Sequence, residues 1–123
     1  MTGLELKKKF IEFMESKGHK RIPNSSLIPE NDPSALFINS GMHPIVPYLV
    51  GQPHPYGTRL VNYQRAVRTG DIEEVGDNTH HTFFEMLGEW SLGDYWKKES
   101  LEWSMEFLVE VLGLDPKRLH ATV

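Results

Sequence analysis

The sequence predicts an α+β fold in which an antiparallel hairpin sits between two amphipathic helices. Three observations carry this. The stretch from Arg59 to Tyr95 reads as strand, polar turn-rich loop, then aromatic strand. Near the start, Leu6, Phe10, Phe13 and Met14 recur at helical spacing. Near the end, Leu101, Met105, Leu108 and Leu112 fall at i, i+4, i+7 and i+11, the pattern of a buried helical stripe. The 123 residues are enough for one domain or a piece of one.

Thr2 and Glu5 have the spacing of a capping box, and Gly18 is a C-cap candidate, so a helix is expected over about residues 3 to 17. Prolines at 23, 29, 33, 44, 47, 53 and 55 then break the chain repeatedly. Pro23 to Pro33 reads as an ordered loop, Ala35 to Ile38 as a short buried strand ended by Gly41, and residues 43 to 50 as one or two helical turns with Pro44 tolerated early. Leu60 to Val67 and His80 to Met86 are the hairpin strands, joined by a loop rich in Gly, Asp and Asn. Gly88 to Asp94 reads as a separate aromatic segment around Trp90. The second long helix covers about residues 97 to 112 with Gly113 as its C-cap. Trp103, Phe107 and Val111 add apolar surface beside its stripe. Asp115-Pro116 opens a turn, and Leu119 to Val123 is strand-like; the chain stops inside that element, so a piece of a longer domain is expected.

Net charge is -4, against a free-standing non-specific nucleic-acid binder. The absence of cysteine removes disulfide and thiolate chemistry and fits a reducing compartment. No apolar run approaches the ~20 residues that span a bilayer, and MTGLELKKKF reads as a charged amphipathic pattern, with no signal peptide expected. No P-loop, Gly-x-Gly-x-x-Gly or Gly-x-Ser-x-Gly motif occurs. The pair His80-His81, adjacent on a strand, points to opposite faces and lacks zinc-ligand spacing, so no metal site is expected.

Strand alternation does assemble a candidate surface. Gln64, Ala66 and Arg68 share one face of their strand; His80, Thr82, Phe84 and Met86 share a face of the other, with Glu85 opposite. A cation, a histidine and a flat ring on one hairpin suit a nucleotide.

Taken together, NDPSALFINSGM and QRAVRTGDIEEVGDNTHHTFFEMLGEWSLGDYWKKES resemble the N-terminal part of the catalytic domain of the alanyl-tRNA synthetase family. HHTFFEMLG followed by Ser-x-Gly-Asp-Tyr carries the resemblance, which covers nearly the whole chain. The resemblance implies a class II synthetase core, an antiparallel sheet flanked by helices, with residues 1–123 as its N-terminal part, ending before the third motif of the class. It implies activation of alanine with ATP, accompanied by Mg2+, to alanyl-adenylate, and transfer to the 3′ end of tRNA in the cytoplasm. Arg68 then contacts the α-phosphate and acts in catalysis, His80 lies near the outer phosphates, and Phe84 stacks on adenine. Glu85 and Met86 line the same pocket, although alternation puts Glu85 on the other face. One departure is a short loop after Arg68 that carries no lysine before the His pair. Two other expectations stand beside this one: an ATP-binding module without chemistry, and a folding unit that pairs as a homodimer through an open sheet edge and the helix surface.

Overall fold

The computed structural model describes residues 1–30 and 35–122. Helix α1 spans Gly3–Ser16 and strand β1 Lys20–Arg21; a 3-10 turn, His43–Ile45, leads into the single-turn helix α2, Val46–Leu49. Strand β2 covers Arg59–Val67, β3 Phe83–Ser91, and helix α3 Lys97–Glu106, which runs on as a π-helical turn, Phe107–Val111. Among the described residues, no helix is long and apolar enough to cross a membrane.

Helix α1 begins where expected because both halves of the capping box form: the Thr2 hydroxyl accepts from Glu5 N (3.2 Å), and the Glu5 carboxylate accepts from Thr2 N (2.7 Å). It ends in a Schellman turn, with His19 N donating to Met14 O (3.1 Å) and Gly18 N to Glu15 O (3.0 Å). Gly18 takes φ +88°, the left-handed conformation that closes such a turn.

Among the described residues the sheet is three-stranded in the order β1-β2-β3, with β1 parallel to β2 and β2 antiparallel to β3. It is therefore mixed, not purely antiparallel as expected. Two residues emerging from the α1 cap suffice to make β1, and a segment that short carries no alternation to read. The second hairpin strand also differs. It begins at Phe83, not His80, and continues through residues 88–91, read above as a separate segment. Gly88 suggested a break. It is instead the place where the Trp90 indole lies against the backbone, and a Cβ there would run into the ring.

Alternation along β2 divides the molecule into two layers. Val61 faces the helices and shares a core with Ile11, Phe13, Met14 and Phe107. Leu60, on the other face, packs with Ile22 and Ile45 of the proline-punctuated segment, joined by Tyr48, Trp90 and Leu92. Residues 35–38 form no strand: Leu36 is exposed and only Ile38 is buried, its N–H donating to Leu27 O (2.7 Å) and its carbonyl accepting from Val67 N (2.9 Å). Positions 31–33 of the predicted loop lie outside the described residues, as does Val123; residues 119–122 are irregular rather than strand.

The final helix faces inward differently from its aliphatic stripe. Leu101 (67 % exposed) and Met105 (49 %) point outward, while Trp103, Phe107 and Val111 pack against α1. Aromatic volume decides this: the Phe107 ring meets Phe10 edge-on and Phe13 at a tilt, both with centroids 5.4 Å away. The π turn, closed by Leu112 N donating to Phe107 O (2.9 Å), adds a residue and brings Leu112 to the same core. Gly113, φ +69°, ends the helix as expected.

Candidate functional site

The site is built on the layer of the sheet that faces away from the helices. Arg68 follows β2 by one residue, and its N–H donates to Thr82 O (2.9 Å), so the antiparallel ladder extends one step past the assigned strands. The register pairs Ala66 with Phe84 and Gln64 with Met86. Arg68, Phe84 and Met86 therefore stand on one surface, as alternation predicts. The Arg68 guanidinium carbon lies 5.2 Å from the centre of the Phe84 ring, a cation–π contact, and its Nε donates to Asn39 O (2.9 Å). Among the described residues neither Nη is engaged in a hydrogen bond, so the fork of the guanidinium is oriented yet open.

The floor beneath this row is polar, which the sequence reading missed. Gln64 is fully buried; its Oε1 accepts from Ser25 N (2.8 Å), and its Nε2 donates to Ser25 O (3.0 Å) and Arg65 O (2.9 Å). Asn62 Oδ1 accepts from Trp90 Nε1 (3.0 Å), and Met86 Sδ accepts from Gly41 N (3.2 Å). Two amides at alternate positions of a strand with Leu60 and Ala66 on the same face were the available signal. Gln64 ties the proline-punctuated segment, and with it Asn39, to the sheet, while Asn62 holds the Trp90 indole within it. A cleft of about 730 Å³ opens in that segment, lined by Ser25, Glu30, Ile38, His43 and Val46 among others; Arg68, Phe84 and Met86 are not part of its lining.

His80 and Glu85 stand elsewhere. His80 lies in the loop before β3, not on a strand face. Its Nδ1 is 2.6 Å from Asp77 Oδ2, and Asp77 Oδ1 also accepts from Thr79 N (2.9 Å) and His80 N (2.8 Å). These bonds, the His80 backbone N–H foremost, hold the Asp77 carboxyl far below the usual carboxylate range. Glu85 sits across from Arg65 on the helix-facing layer, where both carboxylate oxygens bind Lys7 Nζ (2.9 and 2.7 Å). Its side chain is thus separated by the sheet from the Arg68–Phe84 row, because successive side chains alternate; the pocket role expected of that carboxylate does not fit this placement.

The Ser-x-Gly-Asp-Tyr sequence forms a corner at the other end of β2, about 30 Å from Arg68 at ~3.3 Å per residue. Ser91 Oγ accepts from Tyr95 N (2.8 Å) and donates to Tyr95 O (2.7 Å). Asp94 Oδ1 accepts from Arg59 Nη2 (2.7 Å) and Nε (3.0 Å), and Arg59 Nη1 reaches Lys17 O (2.9 Å) at the end of α1. The Arg59 bonds, then that of Thr58, lower the Asp94 pKa. Buried His19 bridges the same corner: Nδ1 donates to Met14 O (3.0 Å) and Nε2 accepts from the Tyr95 hydroxyl (2.7 Å). Burial lowers the His19 pKa and raises that of Tyr95. The corner locks helix to sheet.

Comparison with known proteins supplies the family. The family model for class II tRNA synthetases (A) matches residues 5–123. The chain belongs to the class II tRNA synthetases. Within that family it is similar to the alanine–tRNA ligase of Treponema denticola, 60 % identical over 121 residues that make up 97 % of this chain and 20 % of the relative. It is 56 % identical over 121 residues to the same ligase of Treponema pallidum, covering 97 % of this chain and 20 % of the relative. With that of Borreliella afzelii it is 54 % identical over 125 residues, covering 100 % of this chain and 21 % of the relative. The chain spans about a fifth of the length of these relatives.

Proposed function

We propose that this chain belongs to an alanine–tRNA ligase and forms the nucleotide-handling part of its aminoacylation site. Alanine and ATP give alanyl-adenylate and pyrophosphate, and the acyl group then moves to the 3′ end of the tRNA, in the cytoplasm. Arg68 directs its open Nη groups at the ATP α-phosphate, where charge grows as the carboxylate of alanine attacks. Phe84 and Met86 supply apolar surface for the adenine, and His80 serves the outer phosphates. Magnesium enters with ATP, as counterion of those phosphates. Catalysis on this reading is positioning and electrostatics and needs no protein nucleophile.

The observation that supports it most is the Arg68 guanidinium, held by Asn39 O and the Phe84 ring with its outer nitrogens free of hydrogen bonds among the described residues. The name shared by the relatives supplies the amino acid. The test is exchange of labelled pyrophosphate into ATP by the protein that carries this chain at its relatives' length, assayed with each small amino acid in turn. Exchange with alanine is expected; exchange driven equally by other amino acids, or none, refutes the assignment.

A second reading concerns the 123 residues alone, which we propose self-associate as a dimer. Trp96 (75 % exposed), Leu101 and Met105 leave apolar surface on and before α3, and β3 is a sheet edge among the described residues. Light scattering across a concentration series should show a mass rising toward twice that of the chain; a single monomeric mass at high micromolar concentration contradicts it.

A further inference from the structure

We infer that Asp77 is a positioning residue for His80, holding its ring so that a phosphate oxygen of ATP binds there only as the ring takes up a proton. The inference rests on the reading that His80 meets the outer phosphates. An ionised carboxylate only accepts hydrogen bonds. With Asp77 Oδ2 2.6 Å from His80 Nδ1, the proton of the neutral ring must therefore sit on Nδ1. Nε2 is then a lone pair. A phosphate oxygen is also an acceptor, so the two repel until Nε2 gains a proton and the contact becomes a charge-assisted bond.

The surroundings favour such a conditional cation. Asp77 Oδ1 is fixed by the N–H groups of Thr79 and His80, so the carboxylate cannot rotate away without breaking the turn. The ring is 41 % exposed, and its Nε2 makes no hydrogen bond among the described residues. Thr79 Oγ1, 3.4 Å from Nδ1, is neutral, and His81 follows in the chain. Asp77 is the one charged side chain in contact with the ring among the described residues. Between Arg68 and His80 the loop carries Asp71, Glu73, Glu74 and Asp77 and no lysine or arginine, so a charged His80 is the positive group this loop can offer a phosphate.

Asp77→Asn tests this without dismantling the loop. The amide oxygen keeps the bonds from Thr79 N and His80 N, while the amide NH2 faces Nδ1. Nδ1 must then accept, and the proton moves to Nε2, where a neutral ring can donate to phosphate. Imidazole nitrogen NMR on the chain at about pH 8, above the usual histidine range, should show the Nδ1–H tautomer for His80 and the Nε2–H tautomer in Asp77→Asn. MgATP titrations between about pH 6 and 8 should show affinity rising more steeply toward low pH in the unmodified chain, by up to about tenfold more per pH unit, the limit for one proton. Protonation of ATP itself is common to both proteins and cancels in the comparison. The same tautomer in both proteins, or equal pH slopes with binding still sensitive to Arg68→Ala, overturns the inference alone. MgATP binding that is absent, or indifferent to both Arg68→Ala and His80→Gln, overturns the reading of the site and the inference with it.

Discussion

Replacing Gln64 by Leu removes the amide that joins the sheet to the proline-punctuated segment while keeping the side chain's bulk. Three hydrogen bonds go, to Ser25 N, Ser25 O and Arg65 O. Each is worth about 1 kcal/mol net, and the Ser25 groups are half-buried, so water can reach them once freed; the loss is then about 3 kcal/mol rather than the larger cost of fully orphaned groups. A domain of this kind has about 5–15 kcal/mol in total. With a urea m-value of about 1–3 kcal/mol/M, the unfolding midpoint should fall by roughly 1–3 M. The effect should reach the site as well, because the tethered segment carries the Asn39 carbonyl that holds Arg68 Nε. Urea melts of Gln64→Leu against the unmodified chain are the assay. A midpoint shift below roughly 0.3 M would show that the amide is not the tether described and that another contact holds the segment.

On the proposed reading of the site, Phe84→Ala should raise the Michaelis constant for ATP more than it lowers turnover, since stacking on a base would be similar in ground and transition states. Phe84 is half-buried, so the stability loss should stay below the ~3–5 kcal/mol of a fully buried phenylalanine; a collapsed melting temperature with unchanged ATP binding would make it a core residue instead. The lowered pKa of His19 carries a signed pH dependence. The unfolded chain binds the proton first, so stability is full above the unfolded value near about 6.5 and falls as pH drops from there toward the depressed folded value. Melts of the unmodified chain and of His19→Gln over about pH 5 to 7.5 should diverge, with the variant less stable at the top and flatter throughout; parallel curves would refute the assignment.

The helix caps and the Arg68–Phe84 pairing were legible because each depends on local spacing: Thr2 to Glu5 at three residues, Gly18 and Gly113 at left-handed positions, alternate residues on strands. What escaped depends on partners far along the chain. Leu101 and Met105 form the more regular stripe, yet Phe107 turns inward onto the Phe10 and Phe13 rings of α1, and Trp103 onto His19 and Tyr95. Gly88 looked like a break because its reason, the Trp90 ring, is visible only in three dimensions. For Glu85 the resemblance implies a place in the pocket while alternation puts it on the other face; its partner there, the Lys7 ammonium, lies 78 residues earlier and is not legible from the strand. For His80 the turn residues were recognised but not their use: Asp77, three residues earlier, captures the imidazole before the strand begins.

The central claim is that Arg68 neutralises charge developing on the α-phosphate during adenylation. Alanine-dependent pyrophosphate exchange, measured for Arg68→Ala in the protein that carries this chain at its relatives' length, tests it most directly. A charge-assisted bond that reaches full strength only in the transition state is worth ~3 kcal/mol or more, so exchange should fall by at least about 100-fold with the fold intact by circular dichroism and melting. Exchange at the unmodified rate in a well-folded Arg68→Ala protein would contradict the account.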